Sequence, residues 1–190
     1  KGINTVDDEQ GNTEDDNGHG TRMAEIVTSM TNDNVKIMPI KVANKDGFAT
    51  ITSTYAGILY AIEKDVDIIN ISMNARVSES SFLLTDAIKQ ATDAGIKVIV
   101  SAGNRSMDVA KITPSNIPEA IVVSSVDVNG EFAEYSNYGD TIDYATYGNY
   151  DGVDGTSNAA IRMSSMYAYI MGIDGADADE LINSAAENPN

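Results

Sequence analysis

The sequence predicts an α/β fold built on a mainly parallel β-sheet with helices on both faces. Strand-like and helix-like apolar patterns alternate along the chain, as they do where helices join parallel strands. Ile68, Ile69 and Ile71 form a nearly continuous apolar run, which a strand covered on both faces requires. With 190 residues and 42% hydrophobic content the chain suits one domain, spanning 1–190, with a sizeable core.

The elements follow in order. Residues 1–17 are polar and acidic and read as a short strand followed by a surface loop. Gly18-His19-Gly20-Thr21 opens a helix whose Met23, Ile26, Val27 and Met30 share one face. Val35 to Val42 reads as a strand and Asp46-Gly47 as the turn beyond it. Thr52 or Ser53 can cap the next helix, with Tyr55, Ile58, Leu59 and Ile62 inward. Asp67 to Ser72 is the second strand. A helix follows with Leu84, Ala87, Ile88 and Ala91 as its stripe and Gly95 as its stop. Lys97 to Ser101 is a third strand and runs into Ala102-Gly103-Asn104, at a strand end of the kind where open α/β sheets bind ligands. Ala120 to Val126 is a fourth, and the Tyr- and Gly-rich stretch from Tyr135 to Asp154 reads as a loop. Gly155 then leads a helix with Ala159, Ala160, Met163, Met166, Tyr167, Ile170 and Met171 at helical spacing, and Asp177-x-x-Glu180 begins the last one. The chain shows no internal repeat, low-complexity segment or interdomain linker.

Composition excludes several classes. The net charge of −17, from 29 acidic and 12 basic residues, argues against nucleic acid as a partner, because phosphate binding needs a positive surface. The absence of cysteine rules out disulfides and thiolate metal sites. No apolar run is long enough to span a bilayer. The clusters Asp7-Asp8-Glu9, Glu14-Asp15-Asp16 and Asp174 to Glu180 read as solvated surface, with calcium as the minor alternative for such oxygen donors. Lys1 in first place, with no signal-like stretch, reads as a processed product or a fragment.

Two residues are placed for chemistry. Ser157 stands on the first turn of its helix, where unpaired main-chain N–H groups favour negative charge, and Gly155 leaves room for a substrate carbonyl. Read alone, Gly-Thr-Ser is equally a helix cap. His19, the only histidine, sits at another helix start between two glycines.

Four stretches, Gly18-His19-Gly20-Thr21, Ile69-Asn70-Ile71-Ser72, Ser101-Ala102-Gly103-Asn104 and Gly155-Thr156-Ser157-x-Ala159-Ala160, together resemble the signatures of the subtilases, the subtilisin-like serine proteases. The likeness also runs through Lys41 to Gly47, Pro114 to Pro118 and Tyr135-Ser136-x-x-Gly139. The resemblance implies a subtilisin-like fold and a serine endopeptidase in which Ser157 is the nucleophile, His19 the general base and Asn104 the oxyanion donor. It implies a peptide or protein substrate bound as an extra strand between Gly47-Phe48-Ala49 and Ser72-Met73-Asn74. An S1 pocket walled by the latter and by Ser101-Ala102-Gly103 has Ile112 on its floor, which favours small P1 residues. No cofactor is implied for the chemistry, and structural calcium is compatible with it. Secreted or cell-surface placement follows from the same likeness.

The sequence departs from the pattern as well. In the subtilase order Asp, His, Ser, the Asp stands roughly thirty residues before the His, and only eighteen residues precede His19. Asp7 and Asp8 stand too close to serve. The expectation is therefore a domain without its N-terminal segment, the catalytic Asp being carried on a separate N-terminal fragment that stays bound. A prodomain across the cleft is a further partner the likeness admits. Asn74 replaces a usual glycine and is expected to crowd the cleft, Ile161 replaces a usual proline, and the short connection before Val35 leaves little room for a calcium loop. The alternative function is a pseudoprotease, the same scaffold used for binding or signalling.

Overall fold

A computed structural model describes residues 1–6, 12–78 and 81–186. Asp7, Asp8 and Glu9 lie outside the described residues. In chain order the elements are β1 (Ile3–Asn4), α1 (His19–Met30), β2 (Ile40–Lys41), α2 (Ile51–Glu63), β3 (Ile68–Ile71), β4 (Ala75–Arg76) and α3 (Phe82–Asp93). They continue with β5 (Lys97–Ser101), β6 (Ile112–Thr113), β7 (Ile121–Val126), β8 (Tyr144–Tyr147), β9 (Asn149–Tyr150), β10 (Val153–Asp154), α4 (Thr156–Met171) and α5 (Ala178–Ala185).

The central sheet has the order β3-β5-β7-β8, parallel throughout, with Asn70 opposite Ile99, Val100 opposite Val122 and Ser124 opposite Ala145. Side chains alternate across it, as the two-residue period of a strand demands. Val98, Val100 and Val122 pack with Ile58 and Ala61 of α2 and with Leu84, Ala87, Ile88 and Ala91 of α3. Ile99 and Val123 face the other way, onto Ala159, Ala160, Met163 and Tyr167 of α4 and Ile182 of α5. Helices cover both faces, which is why the strands tolerate apolar residues at consecutive positions. The stripe expected for α3 is buried as read, and Gly95 ends that helix with φ +86°.

Three readings change. The Tyr135 to Asp154 loop contains β8, which hydrogen-bonds in parallel with β7, and a short antiparallel hairpin of β9 and β10. Burial alternates along Tyr144-Ala-Thr-Tyr147, but the residue types do not, so the strand carries no pattern of its own. Helix α2 is capped by Thr50 rather than Thr52 or Ser53; its hydroxyl accepts from the Ser53 N–H while Ser53 Oγ accepts from the Thr50 N–H, a reciprocal box. The strand expected from Val35 to Val42 narrows to Ile40–Lys41, which pair in parallel with β1 as a separate two-stranded sheet.

That narrowing has a geometric cause. One edge of β2 carries β1, while its other side and the outer edge of β3 front a groove of about 820 Å³. Met38, Ile40, Ile58, Ile69 and Ile71 line it, with Ser164, Ser165 and Ala168 of α4 opposite and His19 at its border. Parallel strands ordinarily have cover on both edges, and here two edges of the same kind face one apolar trough.

Candidate active site

Ser157 and His19 are brought to one side of the molecule by the packing of α1 on α4. Met23 and Ile161, each four residues and so about one turn behind His19 and Ser157, lie in one buried cluster with Ile26. Ile161, in place of a proline, is therefore an apolar anchor between the two helices.

The start of α1 is built by Asp15. Gly18 at the helix N-cap has φ +93°, a left-handed conformation that a side chain would resist, and it offers no side chain to cap with. Asp15 supplies the cap instead: one oxygen accepts from the Asn17 and Gly18 N–H groups, the other from the Thr21 N–H and hydroxyl at 2.7 Å. Burial pushes this carboxyl up, but the Thr21, Gly18 and Asn17 bonds outweigh it and hold the group well below the usual carboxylate range. Asp16 pairs with Lys41 at 2.6 Å. This acidic cluster, expected as plain solvated surface, thus holds the loop ahead of His19. Half-buried, the His19 imidazole is pushed below its ordinary value of 6.5 by burial first and by the Arg22 charge second, with Asp15 pulling weakly the other way. Among the described residues its ring makes no hydrogen bond and the Ser157 hydroxyl makes none either.

The Asn104 amide has only one orientation open to it. Its Oδ1 accepts from the Thr156 N–H at 2.8 Å and the Thr156 hydroxyl at 2.7 Å, and Thr156 Oγ1 in turn accepts from the Gly103 N–H at 3.0 Å. A backbone N–H can only donate, so the atom facing it must be oxygen, and Nδ2 is turned over Gly155, 3.6 Å from where a Cβ there would stand. The Nδ2 group has no partner among the described residues. It stands beside the first turn of α4, where the Ser157 N–H has no helical acceptor.

Sequence reasoning missed the residues that hold this loop. Asn137, fully buried, donates from Nδ2 to Ala102 O at 2.8 Å, accepts on Oδ1 from the Arg105 and Met107 N–H groups at 3.0 Å, and donates from its own N–H to Gly103 O. Asn158, an unassigned position in the Gly-Thr-Ser-x-Ala-Ala pattern, donates to Gly148 O and Val153 O and ties the β9–β10 hairpin to α4. An asparagine in a loop gives no advance sign of such a role.

Gly103 is constrained twice. It has φ +102°, and a Cβ would collide with Asn137 Nδ2, which is bonded in place. Gly103→Ala should cost roughly 2–4 kcal/mol of stability, read as a lower urea midpoint at unchanged slope. An unchanged midpoint would show that the loop tolerates a side chain here.

The expected peptide-binding segments lie in the open. Phe48 is 75% exposed, Ala49 bridges to Ala43, and Gly47 closes the turn. Ser72 is half-buried and Met73 packs against the core, while Ser101, Ala102 and Ile112 are buried. Asn74 does not jut freely into the cleft: its Nδ2 donates to Ser101 O at 2.8 Å and Ser115 Oγ at 2.9 Å, and its Oδ1 accepts from Ser101 Oγ. The amide becomes part of the wall. Among the described residues no group of three or more His, Asp or Glu side chains could hold a metal ion.

The model of the subtilase family matches residues 1–182. Subtilisin DY of Bacillus licheniformis is 33% identical over 147 residues, covering 72% of this chain and 53% of the relative. An intracellular serine protease of Paenibacillus polymyxa is 34% identical over 151 residues, covering 72% and 46%. A cuticle-degrading serine protease of Arthrobotrys oligospora is 27% identical over 139 residues, covering 72% and 33%. The chain thus spans about a third to about half of the length of such curated relatives. Among solved structures, a cold-adapted subtilisin-like serine proteinase superposes with a TM-score of 0.80 at 23% identity, over 96% of this chain and 72% of that one.

Proposed function

This chain belongs to the subtilase family, and from that premise we propose that it is the Ser157- and His19-bearing part of a serine endopeptidase that cleaves extended peptide segments. The observation that carries the reading is the Asn104 clamp, which aims an unpaired amide N–H₂ beside the Ser157 N–H. Ser157 Oγ attacks the scissile carbonyl while His19 takes its proton. Charge developing on the carbonyl oxygen is met by Asn104 Nδ2 and the Ser157 N–H. His19 then returns the proton to the leaving amine, and water enters by the same steps to release the acyl group. Substrate lies as a strand between Gly47-Phe48-Ala49 and Ser72-Met73-Asn74, main chain to main chain. No cofactor takes part.

The carboxylate that orients His19 comes, in this reading, from a separate polypeptide segment whose extended strand fills the groove between β2 and β3 and carries an Asp to the His19 end. The groove's apolar lining, the facing strand edges and an imidazole without a hydrogen-bond partner among the described residues support it. We place the enzyme outside the cell or at its surface, in line with a relative named for degrading cuticle. No helix among the described residues is long and apolar enough to cross a membrane.

A fluorophosphonate probe tests the protease reading, with mass spectrometry expected to find the adduct on Ser157. A protein that binds peptides but resists the probe would instead be a binding scaffold, the reading favoured by a Ser157 hydroxyl that makes no hydrogen bond among the described residues. Asn104→Ala should lower kcat roughly 10²–10³-fold with KM little changed, because the lost bond forms mainly in the transition state. A loss confined to KM would assign Asn104 to ground-state binding.

A further inference from the structure

Beside Asn104 lies a second cavity, of about 220 Å³, and its charge is at odds with the rest of the molecule. Arg76 and Arg105 both line it, and among the described residues no Asp or Glu does. The chain carries 29 acidic residues against 12 basic ones, four of them arginine, so two arginines lining one small pocket stand out. All four ion pairs among the described residues use lysine, and neither of these guanidiniums has a partner there.

Both arginines have fixed backbones. Arg76 sits in β4 directly opposite Ile112 of β6 in an antiparallel pair. The Arg105 N–H is held by Asn137 Oδ1 at 3.0 Å, next to the Asn104 clamp. Of the other polar lining groups, the Asn74 amide offers an occupant little, since its Nδ2 donates to Ser101 O and Ser115 Oγ. Ile112, 3% exposed, adds an apolar surface to the lining.

We infer that this pocket receives an acidic side chain, so that the protein cleaves selectively after Asp or Glu, in place of the small P1 residue expected from Ile112 alone. The inference rests on the reading of Ser157 and Asn104 given above, which makes the adjoining pocket the seat of the residue whose carbonyl is attacked. A carboxylate there meets planar guanidiniums able to bond both its oxygens, whereas an aromatic ring leaves two charged groups without a partner. The negative charge of the remaining surface repels acidic runs, so the substrate is a peptide with a single acidic residue in neutral or basic surroundings.

The test uses the protein as isolated and two readouts. Matched fluorogenic peptides differing only at P1 should give kcat/KM for Glu and Asp about ten- to a hundred-fold above Gln and Asn, the scale of a charge-assisted hydrogen bond. In the Arg76→Gln, Arg105→Gln double variant the Glu-to-Gln ratio should fall to about one. Equal rates for acid and amide, or a preference that survives the double variant, would overturn the inference. If no peptide is cleaved even with an Asp-bearing strand peptide supplied, the endopeptidase reading fails, and calorimetry decides the pocket separately: an acetylated tripeptide amide ending in Glu should bind more tightly than its Gln counterpart. Equal or undetectable binding of the two would refute it.

Discussion

With an Asp-bearing segment bound, Ser157→Ala should abolish adduct formation with a fluorophosphonate and reduce peptide hydrolysis roughly 10⁶-fold, the scale set by losing the nucleophile of a cooperative triad. The loss should appear in kcat and not in peptide affinity, because the hydroxyl's work is the covalent step. Stability should hardly move. Ser157 is only half-buried and its hydroxyl makes no hydrogen bond among the described residues, so removing it leaves no buried group unsatisfied. Measured side by side, an unchanged urea midpoint with lost labelling separates a chemical role from a structural one. Labelling that persists in the variant would place the reactive group elsewhere.

Supplying a strand with a carboxylate should have the next largest effect. On the two-part reading, residues 1–190 alone should hydrolyse peptides about 10⁴-fold more slowly than the same chain with a bound Asp-bearing segment, since that segment supplies the group that orients the His19 ring and stabilises the imidazolium. The chain provides its own reporter, because His19 is the only histidine and yields a single imidazole titration curve. Alone, its midpoint should fall below 6.5, as burial and the Arg22 charge both favour the neutral ring. An adjacent carboxylate favours the charged ring, so docking an apolar strand peptide containing Asp should raise the midpoint by about one unit or more. The same peptide with Asn should dock without raising it. A chain that turns over peptides equally well alone, or an imidazole midpoint that ignores the Asp peptide, would refute the two-part reading.

The alternation of strand and helix, the inward faces of the main helices and the placement of His19, Asn104 and Ser157 at element boundaries were all legible in the sequence. These depend on local periodicity and on glycines at sharp transitions, which a chain displays whatever its tertiary partners. Strand β8 was not, because a parallel edge strand among tyrosines and glycines is defined by its bonds to β7 and not by its own pattern. Nor was the contraction of β2, which follows from what its edge faces. The site shows the same division. Which residues are candidates could be read from four short motifs, but the rotation of the Asn104 amide is decided by Thr156, 52 positions away, and the course of its loop by Asn137. Asn74, expected to obstruct the cleft, is drawn into the wall by Ser101 and Ser115. Asp15, one acid among many, becomes the cap of α1 only because the chain turns at Gly18. Hydrogen bonds between distant residues leave no periodic trace, so the sequence by itself determined which groups could act, while tertiary structure alone decided which way they point and which charges stand unpaired.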